Sequence, residues 1–312
     1  ILAKPSLQGL WRGFPGVSEV IPYEKAGGLK RWSGFSRAVK EVKSRGFQEA
    51  LIFPQSFSSA LLTVLADIPV RIGFSTEGRD GLLTRAVSNA QPRSRHVVLE
   101  YLDLVTQGMD LPPARREAAL FAVKTGEGER EGRKLLKEMK IPRGKGLIAL
   151  VPGATYGPAK RWPMDSWREL MKGLLGARKE SLILLGGPGE KILLEPLLNG
   201  WTASEQRRVG FGVGRTTPEA LSFLFRISRM AISNDTGPMH LAAAVGTPVL
   251  GIFGSTSPLW TRPFGLGHRV VRLEVPCNPC FRRKCPIGTV CLRRLNPSLV
   301  LREALDLLST AE

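Results

Sequence analysis

The residues best placed to do chemistry lie between positions 229 and 258, in RMAISNDTGPMHLAAAVGTPVLGIFGSTSP. An apolar run ends at Ser233, and Asn234-Asp235-Thr236-Gly237 forms a turn that opens into a helical pattern. Gly237 permits close backbone approach, and the free amides of a helix start would face an anion. Asp235 and His240 stand on or beside that first turn. The plainer alternative makes Asp235 a helix cap and His240 a satisfied surface residue, and both readings stay open at this level. After the next apolar run comes another small-residue loop, residues 254–257.

Residues 151–167, VPGATYGPAKRWPMDSW, also leave an apolar run into a Gly/Pro-rich loop. A lysine held there, Lys160, could neutralise a leaving phosphate; otherwise the loop is an ordinary connection with solvated Lys160 and Arg161. The run Gly186-Gly187-Pro188-Gly189-Glu190 resembles a nucleotide loop but matches neither the dinucleotide fingerprint nor the P-loop. All four cysteines, Cys277, Cys280, Cys285 and Cys291, fall within fifteen residues beside Arg282-Arg283-Lys284. Four thiolates could close a structural zinc site, and nearby cations would favour their ionised form. The spacing fits no zinc ribbon or ferredoxin run, so reduced thiols packed near the site are the alternative.

Elements must hold these loops. Strand-like runs fall at 50–53, 70–74, 147–151, 181–185, 229–233, 249–253 and 270–273, mostly without period-2 alternation. That pattern is expected where helices cover both faces of a strand. Helical patterns lie between them at 34–44, 57–66, 96–107, 164–175 and 218–227, with Thr217 as an N-cap before Pro218. Asn296 is the expected cap of a closing helix over 297–308. Strand and helix alternating at these lengths give an α/β fold with parallel sheets. A polar stretch over 125–146, with one helix at 129–139, places the domain boundary near 145. The expected domains are therefore 1–145 and 146–312. In an open sheet of this kind, ligands bind at the carboxyl ends of strands, where the small-residue loops sit.

Taken together, the segments PGATYGPAKRWP, SNDTGPMHLAAAVGTPVLGIFGSTSP and CNPCFRRKCPIGTVC resemble glycosyltransferase family 9. The likeness is to its ADP-heptose:lipopolysaccharide heptosyltransferases, nearest to the heptosyltransferase II type. It extends more weakly to GVSEVIPY, FPQSFSSALL and His96 with Glu100 and Tyr101. The resemblance implies a GT-B fold of two facing Rossmann-like domains, the N-terminal one for the lipid acceptor and the C-terminal one for the nucleotide sugar. By motif, Asp235 matches the residue holding heptose hydroxyls, and Thr236 and Gly237 match those whose amides grip the pyrophosphate. His240 shares their helix turn, Thr155 and Lys160 match phosphate contacts, and Glu190 matches the carboxylate on the adenosine ribose. An Asp-x-Asp metal motif is absent, which fits a site where lysine and helix-end amides receive the departing ADP, with no cofactor required. Family members begin with a strand, loop and helix before the point matching Ile1. The general base on the acceptor is expected in that preceding loop, and no residue here is assigned to it.

Among 312 residues, 45 are basic and 27 acidic, a net charge of +18. Such an excess calls for an anionic partner. Nine Lys/Arg against three Glu in residues 1–45 place much of it on the half expected to meet the acceptor. An inverting heptosyltransferase at the cytoplasmic membrane face accounts for this charge. Its acceptor would be the phosphorylated inner core of lipopolysaccharide on lipid A, and anionic lipid would hold the enzyme nearby. Two alternatives remain: another nucleotide-sugar enzyme of this fold, using a different sugar or acting as an epimerase, and a basic nucleic-acid binder with a cysteine knuckle. Three Tyr and six Trp give the second few stacking groups. No apolar run approaches the ~18 residues of a membrane span.

Overall fold

The computed structural model describes residues 1–12, 14–24, 30–89, 91–113, 126–142 and 144–310. The chain divides into two compact units, Ile1–Glu117 and Ala118–Glu312. In the first, β1 (Leu2–Ala3) is followed by the short helix α1 (Gln8–Arg12) and pairs in parallel with β2 (Ile21–Pro22). Helix α2 (Lys30–Lys43) leads to a parallel sheet of β3 (Glu49–Ile52), β4 (Val70–Phe74) and β5 (Arg85–Val87), in that order. Helix α3 (Phe57–Leu65) joins β3 to β4, and α4 (Val97–Gly108) follows β5.

The second unit carries one six-stranded parallel sheet. Its strands are β6 (Leu147–Val151), β7 (Ser181–Leu184), β8 (Val209–Phe211), β9 (Met230–Asn234), β10 (Val249–Phe253) and β11 (Arg269–Arg272). Their spatial order is β11-β10-β9-β6-β7-β8. The first three strands run outward one way from β6 and the last three the other way, the doubly wound order whose crevice lies between β6 and β9. The helices, in chain order, are α5 (Gly126–Glu138), α6 (Met164–Ala177), α7 (Lys191–Leu194), α8 (Ala203–Gln206), α9 (Pro218–Arg226), α10 (Gly237–Ala244), α11 (Pro258–Thr261), α12 (Val290–Arg293) and α13 (Pro297–Thr310).

Side-chain parity explains why these strands read as unbroken apolar runs. Ile148 and Leu150 of β6 pack with Leu170 and Leu174 of α6 and Val300 of α13. Leu147, Ala149 and Val151, pointing the other way, pack with Leu135 of α5, Phe223 of α9 and Met239 of α10. Both faces are dry, so no polar alternation is needed. Thr217 caps α9 by accepting from the Ala220 amide, and Asn296 accepts from Ser298 N at the start of α13, as expected of both. The strands that went unrecognised, β2, β5 and β8, span only two or three residues each.

The division falls ahead of the boundary expected near 145, and the reason is helix α5. Two glycines one turn apart let it lie directly on α9: a Cβ at Gly132 would come within 2.4 Å of the Phe223 ring, and one at Gly128 within 2.6 Å of the Glu219 backbone. Leu135 then enters the second unit's core. A helix that composition left with the first domain therefore belongs to the second. Arg143, within that polar stretch, lies outside the described residues, as does Thr125 at its start.

Candidate functional site

The loops after β6, β9 and β10 meet at the carboxyl edge of the second sheet, around the crevice between β6 and β9. Asp235 is the first residue beyond β9, with a side chain only 4% exposed. Its Oδ2 accepts from Lys160 Nζ at 2.6 Å and from Thr256 Oγ1 at 2.5 Å, and Thr261 Oγ1 stands 3.5 Å away. Lys160 also lies over the Tyr156 ring, 4.9 Å from its centroid. The two residues expected to serve phosphate and sugar thus form a nearly buried ion pair. Separated by 75 positions in the chain, they are joined by the doubly wound topology.

Asp235 is not the cap of α10. The residue in the cap position is Thr236, extended at φ −151° and ψ 167°, and its side chain makes no cap hydrogen bond. The Asp235 carboxylate is committed to Lys160 and Thr256 instead. Gly237 is exposed, its φ is ordinary, and a Cβ there would meet nothing within 4 Å. The fold itself thus gives no steric reason for glycine at 237, while the space over it is open to an approaching group. His240 is half-buried on the following turn, and Thr155 is exposed on the β6 loop.

Glu190 lies beneath the β6 and β7 loops. Its Oε2 accepts from the Gly187 amide at 2.9 Å, while Oε1 is buried with no hydrogen-bond partner. Only glycines make room for it: a Cβ at Gly153 would fall 2.1 Å from Oε1, and one at Gly186 2.8 Å from Oε2. An unsatisfied buried carboxylate oxygen costs on the order of 1–3 kcal/mol unless something donates to it.

The zinc site expected at the cysteine segment finds no support in the structure. No group of three or more His, Cys, Asp or Glu able to hold a metal ion occurs among the described residues. Cys277 is exposed, Cys280 and Cys285 are half-buried, and Cys291 on α12 turns into the apolar core. Burial pushes the Cys291 thiol pKa up, and the neighbouring Cys277, Cys280 and Cys285 add to that rise. That is the reverse of the ionised thiol expected beside the arginines. The segment instead straps two site loops together. Cys280 N and Phe281 N both donate to Ser255 O, at 3.0 and 2.7 Å. Tyr156 Oη donates to Phe281 O at 2.9 Å, Arg283 Nε to Tyr156 O at 2.8 Å, and Ala159 N to Arg283 O at 3.2 Å.

Three contributors escaped the sequence reading. Asn234, fully buried at the end of β9, donates to Pro152 O at 2.5 Å and accepts from Trp162 N at 3.3 Å, tying the β6 loop to β9. Thr256 and Arg283 lie in quoted segments, but spacing does not reveal their partners. In the first unit, the residues that carried the weaker resemblance shape loops. His96 caps α4, its Nδ1 accepting from Val98 N at 3.2 Å. Glu100, 1% exposed, accepts from Arg93 N at 2.8 Å and Asn89 Nδ2 at 3.3 Å. Tyr101 packs edge-on to Phe53, and burial, with the Glu100 charge beside it, raises its pKa. Fully buried Arg79, another unrecognised residue, donates to Phe74 O at 3.0 Å and Pro54 O at 2.5 Å.

Known proteins are similar to this chain in sequence and fold. The chain is 29% identical over 279 residues to lipopolysaccharide heptosyltransferase 2 of Salmonella typhimurium, covering 88% of this chain and 78% of that protein. The structure of Escherichia coli ADP-heptose LPS heptosyltransferase II superposes with a TM-score of 0.78 at 26% identity, over 99% of this chain and 88% of that one. The E. coli heptosyltransferase WaaC with ADP shares the fold at a TM-score of 0.73 and 19% identity, over 98% and 89% of the two chains. The model of glycosyltransferase family 9 (heptosyltransferase) matches residues 35–291, most of the chain, so the protein belongs to that family and is a glycosyltransferase.

Proposed function

We propose that this chain transfers heptose from ADP-heptose to the inner core of lipopolysaccharide, with inversion at the anomeric carbon. The observation that carries the donor side is the Lys160–Asp235 pair at the crevice of the second sheet, beside the open start of α10. In the reaction an acceptor hydroxyl oxygen bonds to the anomeric carbon as the bond to the β-phosphate oxygen of ADP breaks, and its proton passes to a general base to which no residue of this chain is assigned. Negative charge grows on the departing diphosphate. Lys160 and the Gly237 amide are the groups assigned to receive it, a cation and a helix-start dipole. Asp235 accepts hydrogen bonds from heptose hydroxyls, Glu190 Oε1 from the ribose, and Thr155 and Thr236 line the phosphate path with His240 on the adjoining turn. A diphosphate must draw Lys160 away from Asp235, which couples donor binding to release of the carboxylate for the sugar.

The acceptor, lipid A carrying the anionic inner core, is assigned to the first unit. The basic excess in residues 1–45 supports this, with Trp32, Arg37 and Lys40 exposed on α2. The same surface is assigned to the anionic cytoplasmic face of the membrane. No helix among the described residues is long and apolar enough to cross a bilayer. The test is incubation with ADP-heptose and an inner-core lipopolysaccharide acceptor. Acceptor-dependent release of ADP, with one heptose added by mass, is expected. ADP release without addition to the acceptor, or transfer from UDP-sugars in preference, would overturn the assignment.

A further inference from the structure

We infer that Thr256 is a positioning residue for the donor's sugar, holding Asp235 so that Oδ1 is the oxygen left for sugar hydroxyls. The inference rests on the reading of Asp235 as the sugar-binding carboxylate and adds what keeps that carboxylate in place.

Both strong bonds to Asp235 converge on one oxygen. Lys160 Nζ and Thr256 Oγ1 reach Oδ2 at 2.6 and 2.5 Å, and among the described residues nothing donates to Oδ1. A carboxylate oxygen offers about two lone-pair sites, so Oδ2 is filled and a ligand hydroxyl must go to Oδ1. The terminal torsion of an aspartate is broad and nearly two-fold, so the side chain has little orientation of its own. Lys160 cannot be the lasting anchor, because the same ammonium is assigned to the diphosphate. Once the diphosphate draws it away, the threonine hydroxyl is the close bond that stays.

Thr256 is itself held firmly. It is 4% exposed in the loop after β10. The preceding carbonyl, Ser255 O, takes two amides from the cysteine segment, and a Cβ at Gly254 would lie 2.5 Å from Leu292. The hydroxyl has no capping duty, since Ser257 occupies the N-cap position of α11. Its described hydrogen bond is the one to Asp235.

The experiment compares Thr256→Val and Thr256→Ser with the parent protein, titrating ADP and ADP-heptose by calorimetry without acceptor and following thermal melting. Thr256→Val, which keeps the shape and deletes the hydroxyl, is expected to weaken ADP-heptose about tenfold, the scale of a hydrogen bond to a charged group. ADP affinity should stay within about twofold of the parent's, because a bond made only to the sugar-side carboxylate does not touch the nucleotide. Thr256→Ser should restore ADP-heptose binding, and in the transfer assay the valine variant should raise the donor KM more than it lowers kcat. Equal loss of both ligands, or a failure of serine to rescue, would show a merely structural role and overturn the inference. Asp235→Asn, run alongside, separates the two claims. If it weakens ADP-heptose while Thr256→Val does not, the inference about Thr256 falls alone. If it leaves ADP-heptose binding intact, the sugar reading of Asp235 and the inference both fall.

Discussion

The second sheet carries a buried carboxylate–cation cluster at each of its two ends. At the amino edge, Glu180 sits just before β7 and is bound by Arg178 Nη2 at 3.0 Å and by Arg229 Nη1 at 2.8 Å. At the carboxyl edge, Asp235 faces Lys160 and Thr256. Both carboxylates have side chains 4% exposed. They differ in how their bonds are spent. The two arginines occupy both oxygens of Glu180 and join the ends of β7 and β9, so nothing is left to offer a ligand. Asp235 keeps one oxygen free of described donors and shares its cation with an open loop. The closed cluster is built to stay; the open one is built to be rearranged. In the first unit Glu100 sides with the closed kind, because Arg93 N and Asn89 Nδ2 occupy both its oxygens and fix loop shape.

The largest expected effect lies at the open end. Lys160→Ala removes a charge-assisted contact to the diphosphate, worth about 1.5–3 kcal/mol, so ADP affinity should fall about tenfold or more by calorimetry. Asp235→Asn should act oppositely on the two ligands. ADP-heptose binding weakens, while ADP binding holds or strengthens because Lys160 no longer has to be drawn from a carboxylate. A Lys160→Ala protein that binds ADP as tightly as the parent would erase the contrast between the two ends.

At the closed end the effect moves from affinity to stability. Burial alone would raise the Glu180 pKa, but the Arg178 hydrogen bond, its own backbone amide and the charges of Arg178 and Arg229 outweigh it and hold the carboxyl below 4.5. A depressed folded-state pKa contributes stability that is present above the unfolded value and lost as pH falls through the folded one. Glu180→Gln should therefore cost about 2 kcal/mol at neutral pH, less than a fully buried pair because both arginines are partly solvated. The gap between variant and parent should narrow as the pH drops below about 4.5. Denaturant melts across pH check this. A gap that widens in acid would contradict the assigned direction, and an accompanying loss of ADP affinity would contradict the separation of the two ends.

How much of this was legible in the sequence follows from what each feature depends on. The strands at 147–151 and 249–253 were placed residue for residue, because apolar runs bounded by Gly and Pro leave few alternatives once both faces are covered. Three-residue β5 and β8 carry too little pattern to register. The division between units was misplaced because polarity does not show that Gly128 and Gly132 form a contact face. Lys160 and Asp235 were singled out by the small-residue loops that follow apolar runs and given their expected roles by motif resemblance, whereas Thr256, 21 positions from Asp235, has a partner that only the folded sheet reveals. The zinc reading of the cysteines lacks support for the opposite reason: close spacing looks like a cluster, but Cys291 belongs to an apolar helix face and the segment's backbone does the bonding.

The smallest expected effect sharpens what that segment contributes. Arg283 is exposed, donates from Nε to Tyr156 O, and holds its guanidinium 5.3 Å from the centre of the Tyr156 ring. Arg283→Ala deletes both contacts but leaves the backbone bond from Ala159 N to Arg283 O and the Tyr156 bond to Phe281 O. An exposed cation–π contact is worth about 0.5–1 kcal/mol, and only part of the lost loop order reaches Lys160, so ADP affinity should fall about threefold. Exposed Arg282, next to it, carries the same charge and serves as the control. If the segment acted only through its positive field, Arg282→Ala and Arg283→Ala would weaken ADP alike, and added salt would abolish both effects. If it acts as a strap, the Arg283 effect exceeds that of Arg282 and persists in salt, because it comes from the geometry of the Tyr156 loop rather than from net charge.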